Sequence, residues 1–181
     1  MAVFPVVLDA CVLFNASVRD TLLRAAEHGL FRPQWSKRIL EETTSNLISE
    51  LGLRHEQAAH LVDELDKAFP EAIVTVPEDL IEAMKNDPKD RHVAAAALSS
   101  SAQVIVTFNK KHFKQEHLTH LNIEAQKPDE FLLYLFGRQP NLMIKILLEQ
   151  AEDLNGVTFD QLLAKLEKQV PQFVAAVMAR L

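Results

Sequence analysis

Four places in this chain could do chemistry together: Asp9, the adjacent pair Glu41 and Glu42, Asp90, and Asn109. The apolar run Val6-Val7-Leu8 ends in Asp9, and a second apolar run over 103–107 is followed by Phe108 and Asn109. In open parallel sheets ligands bind in the crevice at the carboxyl ends of the strands, so residues placed there meet although distant in sequence. Asp90 precedes a helix containing Val93 and four consecutive alanines, small enough to lie close on a sheet and bring Asp90 to that edge. On the helix that follows Ser36, Ile39, Leu40 and Leu47 set the buried face, and one of Glu41 and Glu42 borders it. Three converging carboxylates make a hard-oxygen cluster suited to Mg²⁺ or Mn²⁺ rather than zinc, for which no CxxC or HExxH pattern is present. Such clusters hydrolyse phosphodiesters by orienting an activated water in line and stabilising charge on the leaving oxygen.

Each of these residues also has a plainer reading. An acid can simply end a strand and face water, and a glutamate pair usually marks a solvated helix face. For Asp90 the plainer reading is strong, because Asp is a favoured N-cap and stabilises the first helical turn through the helix dipole.

The elements that must position these residues follow from periodicity and punctuation. Residues 3–8 read as a buried, parallel strand. A helix over 20–28 closes at Gly29, a longer one over 36–50 is capped by Ser36 and ended by Gly52, and a third runs over 54–69. In the third, Ala58, Leu61, Val62, Leu65 and Phe69 share one face. Strands are expected at 72–76, 103–107 and 122–125, with helices over 77–85, 91–100 and 128–136. Strands alternating with helices indicate a parallel sheet with crossover helices. Beyond Gly137 come amphipathic helices over 142–154 and 158–170 and an apolar one over 171–181, carrying no candidate chemistry and read as an extra helical layer. The expected division is 1–137 for the α/β unit and 138–181 for a C-terminal helical extension.

With 181 residues and 48% hydrophobic content, the chain can bury one sizeable core. One cysteine, Cys11, excludes an internal disulfide framework; with no signal-peptide pattern and no apolar run of membrane-spanning length, a reducing cytoplasm is expected. A net charge of −6 argues against broad electrostatic adhesion to nucleic acid, unless the acids are gathered where cations reverse the local sign.

Four segments, in this order, resemble the PIN-domain family and its VapC-like toxin branch. They are Val7-Leu8-Asp9-Ala10-Cys11-Val12-Leu13; Ser36 followed by Glu42; Asp87-Pro88-Lys89-Asp90-Arg91-His92 with the Val-Ala run after it; and Val104 to Asn109 before Phe113. The resemblance implies a three-layer α/β/α fold with a central, mainly parallel sheet, and a metal-dependent ribonuclease binding Mg²⁺ or Mn²⁺. It carries Asp9, Glu42 and Asp90 over as metal ligands and Asn109 as the fourth position of the catalytic group. It also implies an RNA substrate, a small antitoxin partner and a homodimer. Two departures stand out: Cys11 occupies a place where the family often has an orienting Asn, and His112 one where relatives carry an acid. Thr107 keeps a hydroxyl near the site, and Lys110 and Lys111 are candidates for meeting RNA phosphates or plain surface charge. The alternative is a catalytically degenerate PIN-fold protein serving as a protein- or RNA-binding module. An aspartyl phosphotransferase would need an acid where Cys11 stands, and a receiver domain an acceptor Asp where Pro77 follows the strand.

Overall fold

A computed structural model describes residues 3–181. Five strands form one sheet: β1 (Pro5–Leu8), β2 (Arg32–Ser36), β3 (Ile73–Val74), β4 (Val104–Val106) and β5 (Glu124–Gln126), in the order β3-β2-β1-β4-β5 with every pairing parallel. The chain leaves β1 toward β2 and β3, then crosses back to place β4 on the other side of β1. The order therefore reverses between β1 and β4, where a doubly wound sheet opens its ligand crevice. Leu8 pairs with Val106, so Asp9 and Thr107 emerge side by side at that point.

The helices are α1 (Ala10–Phe14), α2 (Ala16–Glu27), α3 (Lys37–Leu51), α4 (His55–Ala68), α5 (Glu78–Ala83), α6 (Arg91–Ser99) and α7 (Gln115–Leu118), followed by α8 (Pro128–Arg138), α9 (Pro140–Asp153), α10 (Phe159–Glu167) and α11 (Pro171–Met178). With the sheet they make the expected α/β/α architecture. Ser36 caps α3 by accepting the Ile39 N–H, and Gly52 ends it in the left-handed region at φ 66°, where a side chain would be strained. Residues Val93 to Ala97 of α6 are fully buried, and this alanine-rich helix packs on β1, β2 and β4.

Several local expectations needed correction. α2 begins at Ala16 rather than 20, because Asn15 caps it through the Val18 N–H, and a short helix, α1, fills the interval after Asp9. β2, with the sequence Arg-Pro-Gln-Trp-Ser, shows no alternation from which a strand could be read, yet its Pro33, Trp35 and Ser36 are buried between β1 and β3. β3 spans Ile73–Val74 instead of 72–76, since Pro77 has no N–H for a longer ladder.

The last four helices share one hydrophobic core with the sheet. Leu132, Met143, Leu166, Phe173 and Val177 belong to the same buried cluster as Val7 and Ile105. Two polar contacts pin them. Thr21 of α2 donates to Gln150 of α9 at 2.7 Å in the interior, and the buried Asp129 of α8 accepts the Gln172 and Phe173 N–H groups at 3.1 and 2.8 Å, capping α11 from outside its own sequence. Asp129→Ala is expected to lower stability by about 1.5–3 kcal/mol, the range for hydrogen bonds to a charged group. At about 2–4 °C per kcal/mol for a chain of this size, a circular-dichroism melt reads the loss directly.

Candidate active site

The crevice at the sheet's reversal point is built around Asp9, which is 2% exposed. Its Oδ1 accepts the Ala10 N–H at 2.7 Å, which starts α1. Its Oδ2 accepts the Thr107 hydroxyl at 2.6 Å and the Cys11 thiol at 3.3 Å. Thr107 Oγ1 in turn accepts the Asn109 N–H at 3.0 Å, and Cys11 Sγ accepts the Phe108 N–H at 3.3 Å. These bonds lace the end of β4 to the end of β1. Cys11 thus occupies the orienting position with a thiol: burial, then the charge of Asp9, pushes it up to about 12, so it keeps its proton and donates.

Burial raises the Asp9 carboxyl above its ordinary 3.8; the Thr107 hydrogen bond opposes this and the charge of Asp90 adds to it. Among the described residues no Lys or Arg forms an ion pair with Asp9 or Asp90. The site therefore holds two neighbouring acids, one of them deeply buried, with no fixed cation between them.

Asp90 ends a 3-10 turn, Pro88–Asp90, and its side chain makes no capping bond to α6. Asp87 caps the 3-10 turn itself, its Oδ1 accepting the Lys89 N–H at 3.0 Å. Asp90 turns instead to His112, with Oδ2 2.6 Å from Nδ1. Of the glutamate pair, Glu41 is 61% exposed and reaches Lys37 at 3.6 Å. Glu42 turns toward α6, its Oε1 3.0 Å from Nε2 of the buried His92 but outside hydrogen-bonding geometry. The side-chain amide of Asn109 has no hydrogen-bond partner among the described residues and is half-buried.

The fold thus brings Asp9 and Asp90 within electrostatic reach, hangs Asn109 on the Thr107 that holds Asp9, and sets Glu42 against His92, two residues beyond Asp90 in sequence. It does not bring Asp9, Glu42 and Asp90 into one tight triad. Among the described residues, the group whose ligand atoms all lie within 4.8 Å is Asp87, Asp90 and His112. Neither Asp87 nor His112 is among the ligands expected from the sequence. Asp87 could have been, because a three-residue spacing ending at Asp90 puts both acids on one side of a 3-10 turn; His112 comes from another loop and left no local signal. Lys110, a candidate phosphate contact, is engaged by both oxygens of Glu130 at 3.0 Å, whereas Lys111 has no acidic partner among the described residues.

The chain belongs to the PIN domain family, whose profile matches residues 5–111, over half its length. Residues 128–179 match a second profile, the VapC50 C-terminal domain, which covers α8 through α11. A protein of Mycobacterium tuberculosis (strain ATCC 25618 / H37Rv), provisionally named ribonuclease VapC50, is 42% identical over 99 residues, or 54% of this chain and 59% of its own length. No solved structure matches the chain. Among the described residues no helix is long and apolar enough to cross a membrane.

Proposed function

We propose that this protein is a divalent-metal-dependent endoribonuclease that hydrolyses RNA phosphodiester bonds, and that it acts in the cytoplasm as the toxin of a toxin–antitoxin pair, with a small antitoxin partner and a homodimeric assembly. The observation that carries the reading is the acid pair itself: a nearly inaccessible Asp9 beside Asp90, with no Lys or Arg among the described residues paired to either and only the His112 ring against Asp90. A buried carboxylate with no cation beside it is costly, and a hard divalent cation such as Mg²⁺ or Mn²⁺ is the counter-charge that oxygen donors of this kind fit. Asp9, Glu42 and Asp90 would hold it. Membership of the PIN domain family and likeness to the Mycobacterium tuberculosis protein support the same conclusion. The nuclease unit is residues 1–137 and the helical extension 138–181.

A bound cation supplies Lewis-acid stabilisation of charge on phosphoryl oxygens and an acidified water. The chain's own residues set up the rest. Thr107 and Cys11 hold the Asp9 carboxylate against rotation, leaving it a fixed charge when RNA arrives. His112 orients Asp90, His92 sits against Glu42, and the unengaged amide of Asn109 is a neutral donor and acceptor at the mouth of the crevice.

Cleavage of labelled single-stranded RNA by the purified protein, with Mg²⁺, with Mn²⁺ and with chelator, tests the reading. Cutting that requires the cation is expected; cutting that persists in chelator overturns the metal-dependent mechanism, and no cutting of any RNA offered favours the binding-module alternative. Thr107→Val removes the hydroxyl that fixes Asp9 and accepts the Asn109 N–H. It is expected to lower cleavage about 10–100-fold, the usual effect of losing an outer hydrogen bond to a metal ligand, in a protein whose circular-dichroism spectrum matches the wild type.

A further inference from the structure

Beside the acid site lies a cavity of about 300 Å³ whose walls are cationic. It forms between the segment leading from α5 into α6 and the segment after β4, clasped together by the Asp87 N–H donating to the His112 carbonyl at 3.2 Å. Lys85, Arg91, Lys111 and Lys114 line it against a single acid, Asp87. In a chain of net charge −6 that is a local reversal of sign. None of these four cations has a carboxylate partner among the described residues; Arg91 is positioned by its Nε–H donating to the Asn86 carbonyl at 3.3 Å. A second feature is independent of charge. Asn86, also in the lining, is 3% exposed, and neither its side-chain oxygen nor its nitrogen has a hydrogen-bond partner. Nδ1 of His117, across the cavity, is likewise unpartnered. Buried polar groups are normally satisfied, so orphaned ones at a pocket call for a ligand or solvent.

We infer that this pocket holds a backbone phosphate of the RNA strand, next to the one cleaved at the acid site. The inference rests on the nuclease reading for its choice of ligand. His112 connects the two places, because it walls the pocket and meets Asp90. A phosphate seated among Lys85, Lys111 and Lys114 would bring the neighbouring linkage over Asp90. It would also explain how an acidic protein acquires an RNA strand: attraction is confined to one pocket at the edge of the acids, and phosphate contacts fix register without reading sequence.

The test is Lys85→Gln/Lys111→Gln/Lys114→Gln compared with a control of equal charge, Lys145→Gln/Lys165→Gln/Lys168→Gln, on and just after α9 and α10. Binding of a short labelled single-stranded RNA is followed by fluorescence anisotropy in chelator over a salt series, so that no cleavage is needed. The pocket variant is expected to bind about tenfold or more weakly, with the salt dependence flattened by about 0.7 for each phosphate it no longer neutralises; the control keeps wild-type affinity and slope. Unchanged affinity and slope in the pocket variant overturn the proposal, as does an equal loss in the control or a wild type that binds no RNA. A wild type that binds RNA through the pocket but cuts none overturns the nuclease reading alone. Cation-dependent cutting with pocket-independent binding overturns the pocket alone, and would point to an acidic protein segment as its occupant.

Discussion

Asp9→Asn should abolish cation-dependent RNA cleavage and, at the same time, raise the melting temperature of the chelated protein. Both effects have one origin. The Asp9 carboxyl is raised above its ordinary 3.8, chiefly by burial and further by Asp90, so its ionised form is less favourable in the folded chain than in the unfolded one. For a group shifted in this direction, the stability it contributes is fully present below the unfolded pKa and is lost as pH rises through the higher folded value. The metal-free protein therefore loses stability as pH rises and the buried charge forms. Asn keeps an oxygen for the Ala10 N–H and removes the charge, so the chelated variant melts higher, at about 2–4 °C for each kcal/mol recovered. The variant loses the cation's contribution to the transition state, several kcal/mol by the usual scale, or upwards of about a hundredfold in rate. Melts of both proteins from pH 3.5 to 7.5 in chelator, beside the cleavage assay, decide it. A wild type whose stability does not fall relative to Asp9→Asn over that range would mean that Asp9 is not the strained anion described.

The second large effect is expected at Asp90. Asp90 sits at the N-cap of α6, and had its side chain capped that helix, its replacement would cost about 1 kcal/mol and confuse any loss of activity with loss of fold. Its side chain makes no such bond; the neighbouring Asp87 caps the preceding 3-10 turn instead. Asp90→Asn should therefore leave the melting temperature within about 2 °C of wild type, a change below 1 kcal/mol, while lowering cleavage about a hundredfold or more. Asp87→Ala should do the reverse at the level of stability, losing the turn bond to Lys89. Equal stability losses in the two variants would restore Asp90 to a structural role.

How much of this could be read from the chain depends on whether the signal was local. The apolar run ending in Asp9, the Ser36 cap and the Gly52 stop are written in consecutive residues, and they place β1 and α3 within a residue or two of where they lie. The alanine run after Asp90 announces a helix able to lie flat on a sheet, and α6 does so. β2 was illegible because a strand buried on both faces between two parallel neighbours needs no alternation, and its Pro33 and Gln34 argue against a strand. At the site, the motifs name candidate acids but not the relations between them. Glu42, unlike Glu41, lies against the buried His92, which is on another helix. The partner of Asp90 is His112, on another loop, and the thiol of Cys11 replaces an amide only because β4 brings Thr107 and Phe108 alongside. The bond from Phe108 to Cys11 spans 97 residues of sequence, and pairings of that kind leave no trace in local spacing.

The two ends of the sheet have a consequence for how copies of the chain can meet. β3 contributes two residues and β5 three, so neither margin offers a long row of free amides and carbonyls onto which another strand could zip. Short edges of this kind are a protection against strand addition and fibrillar aggregation. A dimer that joined two sheets into one would thus have almost nothing to grip, and any self-association would fall to the helical surfaces, where recognition depends on side-chain shape rather than on the promiscuous pairing of backbones.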